Sequence, residues 1–196
     1  MISLTKKERE SLLLLFKDFS NFYNANYASK ILGISHVGAQ KIFKRLLDEN
    51  LLTSRKIGKS INYKIALEDD YVRKLIAFLL ADEANNFKRW KEEFRELFKK
   101  ERIILMFGSA IKNYEKAKDI DIMVIAGKNE YNDINKVLKE KEKILPKNLH
   151  AIKLTQKEML NNLKDKNKAL IEIIKNGIIF YGQDKYAEII KNVTSF

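Results

Sequence analysis

Asp119 and Asp121 flank a single isoleucine at the head of the run DIDIMVIAG. Nine residues, Ala110–Lys118, separate them from the Gly108–Ser109 pair that closes the apolar run RIILMF. Successive side chains of a strand point to opposite faces, so Asp119 and Asp121 converge on one side while Ile120 and Ile122 pack on the other. Two neighbouring carboxylates suit Mg²⁺, a hard cation that takes oxygen ligands and bridges to substrate phosphates. Such a cation acts as a Lewis acid on the oxygen it binds. A glycine at 108 lets backbone come close to a ligand, and the Ser109 hydroxyl with the start of a following helix would donate hydrogen bonds to an anion. The plainer reading of the pair is two surface acids at the mouth of a strand. Against it stands their mutual repulsion, which a cation between them relieves. The chain has no cysteine, so disulfides, thiolate metal sites and cysteine nucleophiles are excluded. His36 and His150 are its only imidazoles, which rules out a histidine-rich metal site.

The elements that must position these residues are short apolar strands. Arg102–Phe107 reads as one, the segment opening at Asp119 as a second, and Asn148–Leu154 as a third, while the ending ALIEIIKNGIIFYGQD reads as a helix that gives way at Gly177 to a last strand. Strand, Gly-Ser, about ten residues and Asp-x-Asp opening a strand resembles the polymerase-β nucleotidyltransferase superfamily, and within it the minimal nucleotidyltransferases, over roughly Ile103–Asp184. The resemblance implies that Asp119 and Asp121 are catalytic and hold Mg²⁺. It also implies that Gly108 and Ser109 bind the nucleotide, ATP or another nucleoside triphosphate, and that the partner is a HEPN-type toxin protein that receives AMP. Three positions depart from the family pattern. Lys118 stands where serine or threonine usually precedes Asp-x-Asp. Ala110–Ile111–Lys112 replaces small-Arg-Gly, and the Asn148–Leu154 strand lacks the third carboxylate that active members use as a base. The nearest acid is Glu158, past that strand's end. His150 stands in the acid's place, either as a base or as a partly buried structural histidine.

A net charge of +12 is spread unevenly: residues 1–66 carry 12 basic and 5 acidic side chains, residues 67–102 are neutral, and residues 103–196 are +5. The excess is densest in the first third, as a polyanion-binding segment requires. Helical spacing covers Thr5–Phe19, a short helix fits Ala25–Leu32 before a Gly33 cap, and Ser35 caps a third over Val37–Glu49, with Asn50 turning left-handed after it. Leu51–Ile57 and Ile61–Ala66 then read as a hairpin turning at Gly58–Lys59. YASKILGISHVGAQKIFKRLLDENLLTSRKIGKSINYKI resembles the winged helix-turn-helix regulators of the ArsR and MarR type. On that resemblance Ser35, His36, Val37, Gln40, Lys41, Lys44 and Arg45 face the major groove of double-stranded DNA, and Arg55, Lys56 and Lys59 form the wing tip. Lysine and arginine neutralise phosphates with release of counterions, and Gln40 can read a base edge. A winged helix used only for protein contacts is the other reading.

Between the two, Leu67–Lys100 shows two apolar helical stripes, with a polar turn or kink at Asp82–Asn86. Related regulators pair such helices about a two-fold axis, which implies a homodimer; packing onto the second domain is the alternative. Met1–Lys7 has no features of a signal peptide and Leu12–Phe16 is too short to span a bilayer, so the expectation is a cytoplasmic protein without a membrane partner. The expected class is α+β in two domains. These are a winged helix-turn-helix (1–66), a helical connector (67–101), and a small α/β nucleotidyltransferase-like domain with a mixed sheet (102–196). The leading function is a DNA-binding protein with a Mg²⁺-dependent nucleotidyltransferase domain, acting as an antitoxin-type regulator. The alternative is a transcriptional regulator whose second domain is inactive and serves as nucleotide sensor or dimerisation platform. A third reading is a polymerase-like enzyme acting on tRNA or an antibiotic.

Overall fold

The computed structural model describes residues 3–194, so Met1 and Ile2 of the leader reading lie outside the described residues. The described chain divides into two compact units, 3–79 with 194, and 80–193.

In the first unit each helix begins at a side chain able to cap it. Helix α1 (Lys6–Lys17) starts with a capping box in which Thr5 accepts from the Glu8 amide while the Glu8 carboxylate accepts from the Thr5 amide. Helix α2 (Ala25–Leu32) is capped by Asn24 and stopped by Gly33 at φ 63°. Helix α3 (His36–Asp48) is capped by Ser35, whose hydroxyl accepts from the Gly38 amide at 3.0 Å. The inward faces of the three helices put Leu12, Phe16, Ala28, Ala39, Phe43 and Leu46 almost wholly out of water. Asn50 takes φ 57°, and strands β1 (Leu52–Ile57) and β2 (Ser60–Ile65) form an antiparallel hairpin. Tyr63 anchors it twice: its amide donates to the Tyr23 carbonyl, and its ring meets Phe43 edge-on at 4.8 Å.

Helix α4 (Asp70–Ala84) contains the boundary between the units, so the stretch expected as one connector is divided between them. A 3-10 turn over Asn85–Phe87 follows, overlapping only the end of the expected kink because α4 continues through Ala84, then α5 (Lys88–Glu93) and a second 3-10 turn over Arg95–Leu97.

The second unit is built on a four-stranded sheet. Its strands are β3 (Ile103–Phe107), β4 (Asp119–Ile125), β5 (Asn148–Leu154) and β6 (Ile178–Tyr181), arranged in the order β5-β4-β3-β6. Strand β3 runs antiparallel to β4 and β6, while β4 and β5 are parallel, so the sheet is mixed. Helices α6 (Ser109–Lys112), α7 (Tyr131–Ile144), α8 (Gln156–Lys164), α9 (Lys168–Asn176) and α10 (Gln183–Lys191) connect and flank the strands. Ile104, Met106, Ile120, Ile122, Val124 and Phe180 share a core with Trp90, Phe94, Leu97, Ile134 and Leu138. Ile103, Leu105, Met123, Ile125 and Ile179 alternate with them and are equally buried, so β3, β4 and β6 are covered on both faces through most of their length, while β5 is mostly half-buried or exposed. Among the described residues, no helix is long and apolar enough to cross a membrane.

Candidate functional site

Alternation along β4 places the acids. Ile120, Ile122 and Val124 lie in the core shared with Trp90 and α7, so Asp119 and Asp121 project from the opposite face, at the strand's first residues. There the covering gives out: the Asp119 and Asp121 side chains are 34% and 20% exposed. Antiparallel pairing sets Phe107, the last residue of β3, beside Asp121, and parallel pairing sets His150 on its other side. The site therefore occupies one end of the sheet, where β3 finishes and β4 and β5 begin.

His150 Nδ1 lies 3.5 Å from Asp119 Oδ2 and 3.6 Å from Asp121 Oδ1. One donor atom from each of the three residues falls within 4.8 Å of the others. The imidazole is 62% exposed, so the reading of His150 as a partly buried structural residue is corrected. The strand has too little above it at this end to enclose the ring. Burial raises the Asp121 carboxyl above the ordinary aspartate range, and the Asp119 charge pushes the same way, against a smaller opposing pull from His150. Two convergent carboxylates held part-buried against their own repulsion suit a divalent cation.

Gly108 makes this arrangement possible. It follows β3 directly at φ 82°, ψ −164°, a conformation open almost only to glycine, and a Cβ there would lie 2.1 Å from Asp121 Oδ2. Ser109 opens α6 and is exposed beside it. The loop between Ser109 and Asp119 is held by a residue that sequence reasoning missed. Lys147 Nζ donates to the carbonyls of Tyr114 and Ala117, each at 2.5 Å, and to that of Glu115 at 3.2 Å, and it sits 4.5 Å from the Tyr114 ring centroid. No motif signals it, because lysine just before a strand is ordinary in a lysine-rich chain. Glu158, the nearest acid to β5, takes no part in the site. It belongs to a capping box at the start of α8, where it accepts from the Thr155 amide at 2.8 Å.

Residues 92–186 match the family model "Polymerase beta, Nucleotidyltransferase". Over that stretch the second unit is similar to the nucleotidyltransferases of this family. All four residues expected to act in it, Gly108, Ser109, Asp119 and Asp121, fall inside the matched stretch, at one end of its sheet. Among curated proteins and solved structures, nothing matches the chain.

In the first unit, the capping Ser35 is exposed, as are His36, Val37, Gln40, Lys41 and Lys44 on α3, and Arg55, Lys56 and Lys59 on the hairpin. His36, Gln40 and Lys59 line one groove of about 320 Å³ together with Asn24 and Tyr63. Arg45 departs from this set. Its guanidinium donates to Glu8 at 2.7 and 3.0 Å and to the Ser3 carbonyl at 2.8 Å, which ties α3 to the start of α1. Glu8 is 3% exposed, and a carboxylate so buried requires its cation.

Proposed function

We propose that the chain is a DNA-binding protein whose nucleotidyltransferase domain binds a divalent cation and a nucleoside triphosphate and transfers a nucleotidyl group, AMP in the simplest case, to a protein or nucleic-acid hydroxyl. The observation that carries the catalytic half is the convergence of Asp119 and Asp121 beside Gly108, at the open end of a sheet within the family match. A divalent cation bound there supplies positive charge to the polyphosphate and its leaving group. The chain's own residues do the rest. Asp119 and Asp121 hold the cation, Gly108 clears room for a phosphate at the strand end, and the exposed Ser109 hydroxyl offers it a hydrogen bond. Lys147 fixes the loop that leads into Asp119.

The DNA-binding half reads the three helices and hairpin as a winged helix. Its support is the exposure of Gln40, Lys41 and Lys44 on α3 together with Arg55, Lys56 and Lys59 on the hairpin, a cationic face suited to phosphates.

A second reading, a regulator that senses a nucleotide without transferring it, draws on one observation. Strand β5 has no carboxylate, and the nearest acid is committed to a helix cap. One experiment separates these. A ligand that binds only the folded state raises the melting temperature. Divalent cation with ATP, or with another triphosphate, is expected to raise it for the native chain and not for Asp119→Asn/Asp121→Asn. Labelled nucleotide should then pass to an acceptor. A shift without transfer favours the sensor, and no shift with any triphosphate sinks both readings.

A further inference from the structure

Resting on the cation-binding reading above, we propose that His150 is a direct metal ligand and that the site therefore selects a first-row transition-metal dication over Mg²⁺. The register makes His150 the neighbour of Asp121 across the β4–β5 pair, and Leu149, in the core shared with α7, fixes the alternation that turns His150 to the acids' side. Its Nδ1 is nearly equidistant from the two carboxylates, at 3.5 and 3.6 Å. Donor atoms around a cation with bonds near 2.1 Å stand about 3.0 Å apart in an octahedron and about 3.4 Å apart in a tetrahedron. The three groups thus need to close by only a few tenths of an ångström along these two edges.

The donor set decides which cation they close on. Mg²⁺ takes oxygen and keeps several waters, and Ca²⁺ also calls for an all-oxygen shell. Imidazole nitrogen favours the transition series, in which affinity for mixed nitrogen and oxygen sites rises from Mn²⁺ onward. A neutral imidazole in place of an acid also leaves the protein's share of the ligand charge at −2, which is balanced by one dication. The ring is 62% exposed, so it has room to turn toward an ion held by the two acids.

The test uses the full-length protein with Mn²⁺ alone as the probe. Binding is followed by loss of the free-ion paramagnetic resonance signal, with Mg²⁺ as competitor, and ligand nitrogen is detected by electron spin-echo modulation. The native chain is expected to show imidazole ¹⁴N modulation and to prefer Mn²⁺ to Mg²⁺. His150→Asp should keep a site but lose the modulation. Loss of even an outer partner of a metal ligand costs about 10- to 100-fold in affinity, so the preference for Mn²⁺ should fall by at least about tenfold in this variant. Mn²⁺ binding that depends on Asp119 and Asp121, without modulation and with the same preference in His150→Asp, overturns the role of His150 and leaves the cation site standing. No binding of either ion that depends on the two aspartates overturns the site itself. His36, the other imidazole of the chain, is controlled by His36→Asn, which should leave the modulation intact.

Discussion

A Cβ added to Gly108 would lie 2.1 Å from Asp121 Oδ2, closer than atoms can approach, and the backbone there has φ 82°. Gly108→Ala must therefore displace either the carboxylate or the end of β3. The backbone term alone costs about 1–3 kcal/mol. The expected outcome is a lower melting temperature together with loss of any further rise on adding divalent cation and triphosphate. A variant that melts lower but still responds fully to ligand would show that Asp121 is not where the nucleotide site needs it. The sequence suggested a reason for this glycine, access to a triphosphate. The structure adds a second and nearer one, room for the protein's own acid. His150 shows the opposite case, since its place in β5 was legible while its exposure was not. Exposure depends on which helices happen to cover that end of the sheet.

At the scale of elements, the start of β3 is tied to α7 by Arg102, which is 2% exposed and donates to Glu130 and Asp133 at 2.6 Å each. Asp133 also meets Lys99 at 2.9 Å, and hydrogen bonds from Arg102 and Lys99 hold its carboxyl down to about 2. A depressed folded-state pKa contributes stability that is present above the ordinary aspartate value and lost as pH falls through the folded one. Asp133→Asn keeps the shape and removes the charge. It should melt lower than the native protein at neutral pH, and the gap should close between roughly pH 4 and pH 2. A gap that persists unchanged at low pH would mean that shape rather than charge holds the pair. Ties of this kind were not visible in the sequence. Some helix ends were, because Ser35 acts on an amide three residues away and Gly33 on its own turn, whereas the caps at Thr5 and Asn24 went unread. The order of the sheet and the engagement of Arg45 with Glu8, 37 residues distant, depend on pairings between far parts of the chain that local pattern does not encode.

For the whole molecule, charge is the property that links sequence to partner. The first 66 residues carry a net of +7, and the exposed cations among them divide by task. Lys41, Lys44, Arg55, Lys56 and Lys59 stand exposed on α3 and the hairpin, while Arg45 is held by Glu8. Each phosphate contact contributes about −0.9 to the slope of log affinity against log salt. In a titration of duplex DNA at several salt concentrations, Lys41→Ala and Lys59→Ala should each flatten the slope by about one. Arg45→Met should leave the slope unchanged and lower the melting temperature instead, because it strands a buried carboxylate. Native binding that ignores salt would remove DNA as the partner of this face.

Trp90 is the chain's single tryptophan and is 6% exposed. Its ring meets Tyr114 edge-on at 5.3 Å, with the Arg89 guanidinium 5.2 Å from its centroid, and Tyr114 belongs to the loop that Lys147 grips on the way to Asp119. The protein therefore contains one indole, seated against the segment that leads into the Asp119–Asp121 pair. Its emission can follow that loop in solution without any attached dye and without background from a second indole.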